Sequence, residues 1–480
     1  VGNGCEGRIS AHQPGLQVTG IFSSMEETRT DNALPEQDER KKGGLLANWR
    51  ACLLLTVMLL GLLATPLAIL YRWYSEAQAN GLTASLGGEA GTGRIAFIGP
   101  DGQLATMAPD GSDVRQLTDE AYELEFPAWS PDGQQIAVVG GGKALLVSDV
   151  EGHDNSGHWL EVYDNPLEAP FYLYWSPDSR QVAFLADHPD GIALHLAQRQ
   201  VGEAASRLLT IGQPLYWDWA PTAAQLFIHS GGSGNDARLA MIDLEGKAAA
   251  DDFGAAGIFQ APGISYDGRY RAFAALDEDG RSRLVVQDSN GNASVFEPHL
   301  GQLAFTWSPV ANVLAYRSPR LGGSLSGGPL RFIDPQTGDD ASLSGQDVLA
   351  FFWAPDGRTI AYFSLPRDFG DVRVATVAKE TFRARPYRQH AGLRLQLWVV
   401  DVASQQQRRL VEFTPTALFL GQFLPYFDQY ALSHRIWSPN SDALVIPVFE
   451  EGRSQIAVVP LSRGQVALIA DGESAFWSYQ

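Results

Sequence analysis

The chain has 480 residues and a formal net charge of −20 at pH 7. So acidic a chain repels nucleic acid, and it contains no basic stripe, which argues against a nucleic-acid-binding protein. Its two cysteines, Cys5 and Cys52, lie near the N-terminus, which excludes a disulfide framework in the remainder.

The first predicted element is a transmembrane helix over residues 51–70, which carry no charge. Twenty helical residues span about 30 Å, the thickness of the hydrocarbon core of a bilayer. Trp49 and Tyr71 flank the segment, as aromatic residues do at membrane interfaces. A buried helix of a soluble domain is the alternative, and the lack of any polar face argues against it.

The charges beside this segment predict its orientation. Four basic residues lie within residues 40–50, whereas Arg72 is the only basic residue among the next twenty positions after the segment. The positive-inside rule therefore predicts a single-pass protein of the plasma (inner) membrane, with a cytoplasmic N-terminus and an extracytoplasmic main domain. A signal peptide cleaved after Ala79 is the alternative.

Two segments without apolar periodicity flank the predicted helix. Residues 1–50 are rich in Gly, Glu and Ser, which predicts a disordered cytoplasmic tail. Residues 71–93 contain a stretch rich in Gly, Ala and Ser, which predicts a flexible linker. The main domain is expected to occupy residues 94–480.

Within that domain a short sequence motif recurs, and most of its copies begin with tryptophan. The clearest copy, WSPDGQQIAV, begins at Trp129, and the others begin at Trp175, Trp219, Ile264, Trp307, Trp353, Trp437 and Trp477. Successive copies are 40–46 residues apart, except for one interval of 84. Pro-Asp-Gly favours a tight turn, and the alternating apolar residues after it favour a strand. This period predicts a β-propeller.

We expect an all-β fold of about eight four-stranded blades. The copy at Trp477 leaves room for a single strand, and three predicted strands near residues 94–98, 103–107 and 114–117 would complete that blade. Such closure leaves no free sheet edge. Seven blades remain an alternative if the unit at Ile264, which lacks the tryptophan, or the terminal unit is not a separate blade.

The motif W-S-P-D-G-x-x-I-A-F at this spacing resembles the repeat of TolB-like β-propellers, over residues 94–480. The resemblance implies a cell-envelope protein with a role in protein interaction. TolB proteins are secreted and soluble, have six blades, and carry an α/β domain before the propeller. This chain differs in its predicted membrane anchor, its short linker and its larger number of repeats.

The interval of 84 residues contains two additional segments. Residues 366–393 are basic within an acidic domain, and Arg383, Arg385 and Arg388 are candidates for docking an anionic partner. An ordinary solvated extension is the alternative.

Residues 413–434 place Phe419, Phe423, Phe427 and Tyr430 at nearly helical spacing. This segment either packs on its own propeller or forms an exposed patch. If it is exposed, Phe423, Tyr426 and Phe427 are the expected partner-binding residues.

No catalytic motif is recognisable, since the chain lacks a G-x-S-x-G elbow. His153 and His158 are too few to indicate a metal site, and no cofactor is expected. We therefore expect a scaffold that binds an envelope protein or polymer, not an enzyme. A propeller-type hydrolase or lyase acting on carbohydrate or peptide is the alternative.

Overall fold

A computed structural model describes residues 92–148, 159–199, 206–234, 237–250, 253–299, 301, 303–319, 327–366, 393–462 and 466–480. The chain divides after Trp73 into two units, and all the described residues belong to the second. The predicted tail, the predicted transmembrane segment and nearly all of the linker therefore lie outside the described residues. Within them, no helix is both long enough and apolar enough to cross a bilayer.

The described residues fold almost entirely into short antiparallel strands. In chain order, strands β1 to β15 are Ile95–Ile98, Leu104–Met107, Arg115–Gln116, Leu124–Trp129, Ile136–Gly140, Lys143–Val147, Trp159–Asp164, Pro170–Trp175, Gln181–His188, Gly191–Gln198, Arg207–Gly212, Leu215–Trp219, Gln225–Ser230, Arg238–Asp243 and Ala248–Ala250. Strands β16 to β31 are Gly263–Ile264, Tyr270–Leu276, Ser282–Asp288, Ala293–Pro298, Ala304–Trp307, Leu314–Arg317, Leu330–Asp334, Asp339–Ser342, Val348–Trp353, Thr359–Ser364, Leu395–Asp401, Gln407–Phe413, Ala443–Glu450, Arg453–Pro460, Ala467–Asp471 and Ser474–Trp477.

These strands form eight sheets, which are the eight blades of a β-propeller. The prediction of eight blades is confirmed, because the unit at Ile264 forms a sheet of its own, β16 to β19. The eighth blade has three strands, β28 to β30, and a bridge between Trp437 and Leu444 occupies its inner position.

The ring closes through its two ends. The last strand, β31, pairs antiparallel with β1, where Trp477 faces Ile95. The sheet order β3-β2-β1-β31 therefore joins the C-terminal strand to the first three, as the sequence predicts. This pairing covers an edge that would otherwise be open to intermolecular association.

In three copies of the repeat, those that begin at Trp129, Trp175 and Ile264, a serine and an aspartate hold the turn after the inner strand. In the copy at Trp129, the Ser130 hydroxyl donates to the Asp132 carboxylate at 2.7 Å and accepts from the Gln135 N–H at 3.0 Å. Gly133 adopts a positive φ of 69°, which glycine tolerates without strain. These bonds fix the angle between the first two strands of the blade.

Five of the repeated tryptophans hydrogen-bond to the blade before their own. The Trp175 indole N–H donates to the Ala128 carbonyl at 3.0 Å, and the Trp437 indole N–H donates to the Phe352 carbonyl at 3.0 Å. Each acceptor carbonyl belongs to the residue just before the tryptophan that opens the preceding copy of the motif. In these copies tryptophan thus joins neighbouring blades through a specific hydrogen bond.

Candidate functional site

The central channel of the ring is occupied by a helical insertion between blades seven and eight. A π-helical turn, Phe419–Phe423, is followed by a 3-10 turn, Leu424–Tyr426, and a short α-helix, α1, Phe427–Ser433. We call residues 419–433 the plug. The near-helical spacing of its aromatic residues predicts this structure.

The plug contacts inner strands from several sides of the ring. On one side, the Phe423 ring lies 5.6 Å from the Phe352 ring of β24. On another, the Tyr430 ring lies 5.0 Å from the Phe126 ring of β4, and the Tyr172 hydroxyl of β8 donates to the Gln429 carbonyl at 2.9 Å. Because inner strands surround the channel, contacts to several of them place the plug within it.

Buried polar groups hold both ends of α1. Asp428 is 3% exposed, and burial raises the pKa of its carboxyl, while the charge of the buried Arg317 lowers it by a smaller amount. The Arg317 guanidinium lies over the Phe427 ring, 5.1 Å from its centre. This cation–π contact fixes the N-terminal end of α1 against β21.

His434 anchors the residue after α1. Its Nε2 lies 3.0 Å from the Phe126 carbonyl, which can only accept, so this nitrogen carries the proton. Nδ1 then accepts from the Ser433 hydroxyl at 2.6 Å. Burial lowers the pKa of His434 to about 4, which keeps the imidazole neutral at physiological pH.

A cavity of about 500 Å³ opens beyond the plug, at the ends of the inner strands where the repeated turns begin. We call it the turn-face cavity. Its inner end includes Ala431 and Leu432 of the plug, and its rim includes Tyr266, whose side chain is 48% exposed. The aromatic residues of its wall are Tyr174, Trp219, Phe305, Trp307, Phe352, Trp353, Trp437 and Tyr479.

The repeat that lacks tryptophan forms part of the cavity wall. Ile264 lines the cavity, and its side chain is smaller than the indole found at the equivalent position of the other copies. The neighbouring Trp307 indole packs beside Gly263, where an added Cβ would come within 3.2 Å of it. The smaller side chain at Ile264 therefore leaves space between the blade of β12 to β15 and the blade of β16 to β19.

Asp218 is the buried acid of this wall, and it is 5% exposed. Its Oδ1 accepts from the Trp219 N–H at 2.8 Å and from the Tyr174 hydroxyl at 3.4 Å, and its Oδ2 accepts from the Ile264 N–H at 2.8 Å. Burial raises the pKa of Asp218 to about 7, although these hydrogen bonds favour the ionised form. The carboxyl can therefore gain or lose a proton near neutral pH.

Arg435 supplies the opposite charge in the cavity. Its guanidinium lies 4.0 Å from the centre of the Tyr479 ring, and burial lowers its pKa. Both residues line the cavity, and the described residues provide neither Arg435 nor Asp218 with an ion pair.

The predicted partner-binding residues differ in how far they are exposed to solvent. Phe423 and Phe427 are 2% and 1% exposed, so they pack on their own propeller, which is the first of the two alternatives for this segment. Their partner-binding role depended on the second alternative. Tyr426 is 43% exposed and remains accessible. Arg383, Arg385 and Arg388 lie outside the described residues, and their partner-binding role stays a prediction.

Sequence reasoning missed Asp218 and Arg435. One signal was available for Asp218, because the residue before the opening position of each copy is elsewhere uncharged, as in Ala128, Thr306 and Phe352. His153 and His158 also lie outside the described residues. Within the part of the chain that is described, no three His, Cys, Asp or Glu side chains are placed to hold a metal ion.

No known family model matches the chain. Dipeptidyl-peptidase 5 of Porphyromonas gingivalis is 22% identical over 381 residues, which cover 77% of this chain and 44% of that protein. The chain thus spans less than half the length of this curated relative.

Two solved structures also resemble the chain. TolB of Acinetobacter baumannii has a TM-score of 0.34 at 18% identity, covering 53% of this chain and 64% of that one. Oligogalacturonate lyase of Vibrio parahaemolyticus has a TM-score of 0.44 at 12% identity, covering 79% and 100%. The similarity to a peptidase gives no support to the expectation that the chain is not an enzyme.

Proposed function

We propose that the chain is an extracytoplasmic binding propeller, anchored in the plasma (inner) membrane by residues 51–70, and that the turn-face cavity receives its ligand or partner. The observation that carries this proposal is the buried Asp218 carboxyl in an aromatic cavity of about 500 Å³. That volume is typical of sites for small ligands or for an inserted side chain. Because the plug occupies the channel, the ligand enters from the face of the repeated turns.

Photocrosslinking in intact membranes tests this site. The full chain would carry p-benzoylphenylalanine in place of Tyr266 at the rim, or in place of Val295, a somewhat more exposed residue of the outer strand β19. Adducts are expected from position 266 and not from position 295. Ile264→Trp, which restores the indole of the other repeats and fills the cavity, should abolish them. The same adducts at both positions, or adducts that survive Ile264→Trp, would contradict the proposal.

The membrane anchor has its own test. Deletion of residues 51–70 is expected to move the chain from the membrane fraction to the soluble fraction. In spheroplasts of cells making the intact chain, external protease should reach the propeller and not residues 1–50. A propeller protected from external protease would contradict the proposed orientation.

The basic segment is proposed as a second contact with an anionic partner. Its candidates are Arg383, Arg385 and Arg388, and their joint replacement by glutamine should weaken partner binding most strongly at low ionic strength. Binding that is unchanged in low salt would remove this segment from the interface.

A hydrolase or lyase acting on peptide or carbohydrate is the second candidate. The similarity to dipeptidyl-peptidase 5 favours it, and a carboxyl whose pKa is about 7 suits general acid–base catalysis at neutral pH. Dipeptidyl p-nitroanilides and polygalacturonate are suitable trial substrates for the purified chain. Turnover that Asp218→Asn abolishes and the exposed control Asp190→Asn retains would establish an enzyme.

A further inference from the structure

An acidic and a basic side chain, Asp218 and Arg435, line the turn-face cavity without forming an ion pair with each other. Asp218 is 5% exposed, and its hydrogen bonds come from backbone N–H groups and from the Tyr174 hydroxyl. Arg435 is partly buried, and its side chain stacks on Tyr479 and contacts a backbone carbonyl. Charges withdrawn from water are usually paired, since an unpaired one loses its hydration without compensation.

A tyrosine of the cavity wall lies beside each of these two side chains. The Tyr174 hydroxyl lies 3.4 Å from Asp218, and the Tyr479 ring lies under the Arg435 guanidinium. Tyr174 and Tyr479 both line the cavity. The cavity wall therefore carries two pairs of side chains, an acid with a tyrosine and an arginine with a tyrosine.

We propose that the turn-face cavity binds a short zwitterionic peptide, with its ammonium group at Asp218 and its carboxylate at Arg435. This inference rests on the proposed function of the cavity and specifies its ligand. A single dipolar molecule lying along the two tyrosines satisfies both charges at once. The guanidinium offers a carboxylate two parallel N–H donors. The aromatic wall favours a peptide with an apolar side chain.

Titration of the intact protein with one dipeptide and its capped forms tests this assignment. The probe is alanylphenylalanine, compared with its N-acetyl derivative and its C-terminal amide, and binding is followed by tryptophan fluorescence and calorimetry. Each cap removes one charge and leaves most of the apolar surface. Because a hydrogen bond to a charged group is involved at each end, each cap should weaken binding about ten- to a hundredfold.

The variants connect each end of the peptide to one residue. Asp218→Asn should remove the preference for the free ammonium and keep the preference for the free carboxylate, and Arg435→Gln should do the reverse. Asp190→Asn and Arg180→Gln make the same charge changes at exposed positions and should keep both preferences.

Three results would overturn the assignment. Capped forms could bind as tightly as the free dipeptide, the variants could retain both preferences, or the free dipeptide could fail to bind at millimolar concentration. If any of these occurred while Ile264→Trp still abolished crosslinking at position 266, the cavity would remain the binding site and only its ligand would be wrong. Loss of both effects would reject the binding site itself.

Discussion

The free energy of unfolding of the propeller should contain a term from Asp218 that decreases as the pH rises. The pKa of this carboxyl is about 7 in the folded state, against a reference value of 3.8. Between these two values the folded protein holds a proton that the unfolded chain has released. Stability from this group is therefore greatest below about pH 4 and is lost as the pH rises to about 7.

The size of the term follows from the difference of about three pH units. Each unit corresponds to about 1.4 kcal/mol, so Asp218 contributes up to about 4 kcal/mol over this range. Because the carboxyl is 5% exposed, solvent screens the effect little. Tyr174, from β8, is the titratable group that hydrogen-bonds to it.

Asp218→Asn isolates this term because asparagine does not ionise. The amide nitrogen cannot accept from the Ile264 N–H, so the variant loses about 1–3 kcal/mol of unfolding free energy, and this loss does not vary with pH. Urea midpoints would be measured from about pH 5 to about pH 8, with Asp190→Asn as the control. The wild type and the control should lose stability with rising pH relative to Asp218→Asn. Parallel pH profiles for the wild type and Asp218→Asn would refute the reasoning.

Three further expectations concern the core and the plug. Trp437→Ala should lower the free energy of unfolding by about 3–5 kcal/mol, because the indole is 1% exposed and hydrogen-bonded to the Phe352 carbonyl. Trp159→Ala, at a side chain that is 43% exposed, should cost far less, and similar urea midpoints for the two variants would contradict this expectation. Phe427→Ala should likewise lower the free energy of unfolding by about 3–5 kcal/mol, and Tyr426→Ala should lower it much less, because only the Phe427 side chain is buried in the channel. Equal losses of thermal stability in the two variants would show that the plug is not packed there. His434 should make the propeller sensitive to acid, because its pKa is about 4 when folded and 6.5 when accessible, so stability is lost as the pH falls below about 6.5. His434→Gln should reduce this sensitivity in urea unfolding at about pH 5, and an unchanged acid loss would assign it to another group.

Local signals in the sequence were sufficient for the ring. The turn at residues 130–133 and the strand from Ile136 depend on residues that are close in sequence, so each copy of the motif predicts its own hairpin. The closure of the first blade also followed, because Trp477 leaves room for one strand and three were available near residue 95.

The position of the plug required contacts that are distant in sequence. Spacing predicted helical turns in residues 413–434, but it could not identify the surface that buries Phe423 and Phe427. Part of that surface is Phe126, which is nearly 300 residues away from Phe423 in sequence and has a positive φ of 51°. A left-handed conformation is uncommon for a bulky residue, and no sequence pattern announces it. The packing of Phe126 on Tyr430 could therefore be found only in three dimensions.

The candidate site arises where the repeat is broken. In five of the copies that begin with tryptophan, the indole donates to a backbone carbonyl of the preceding blade. At Ile264 the indole is absent, and the Asp218 carboxylate accepts from the Ile264 N–H across the same boundary between blades. One substitution thus opens space and another supplies a charge at the same boundary. Because both changes work against tight packing and neither is needed for the turn, a binding role explains them better than stability does.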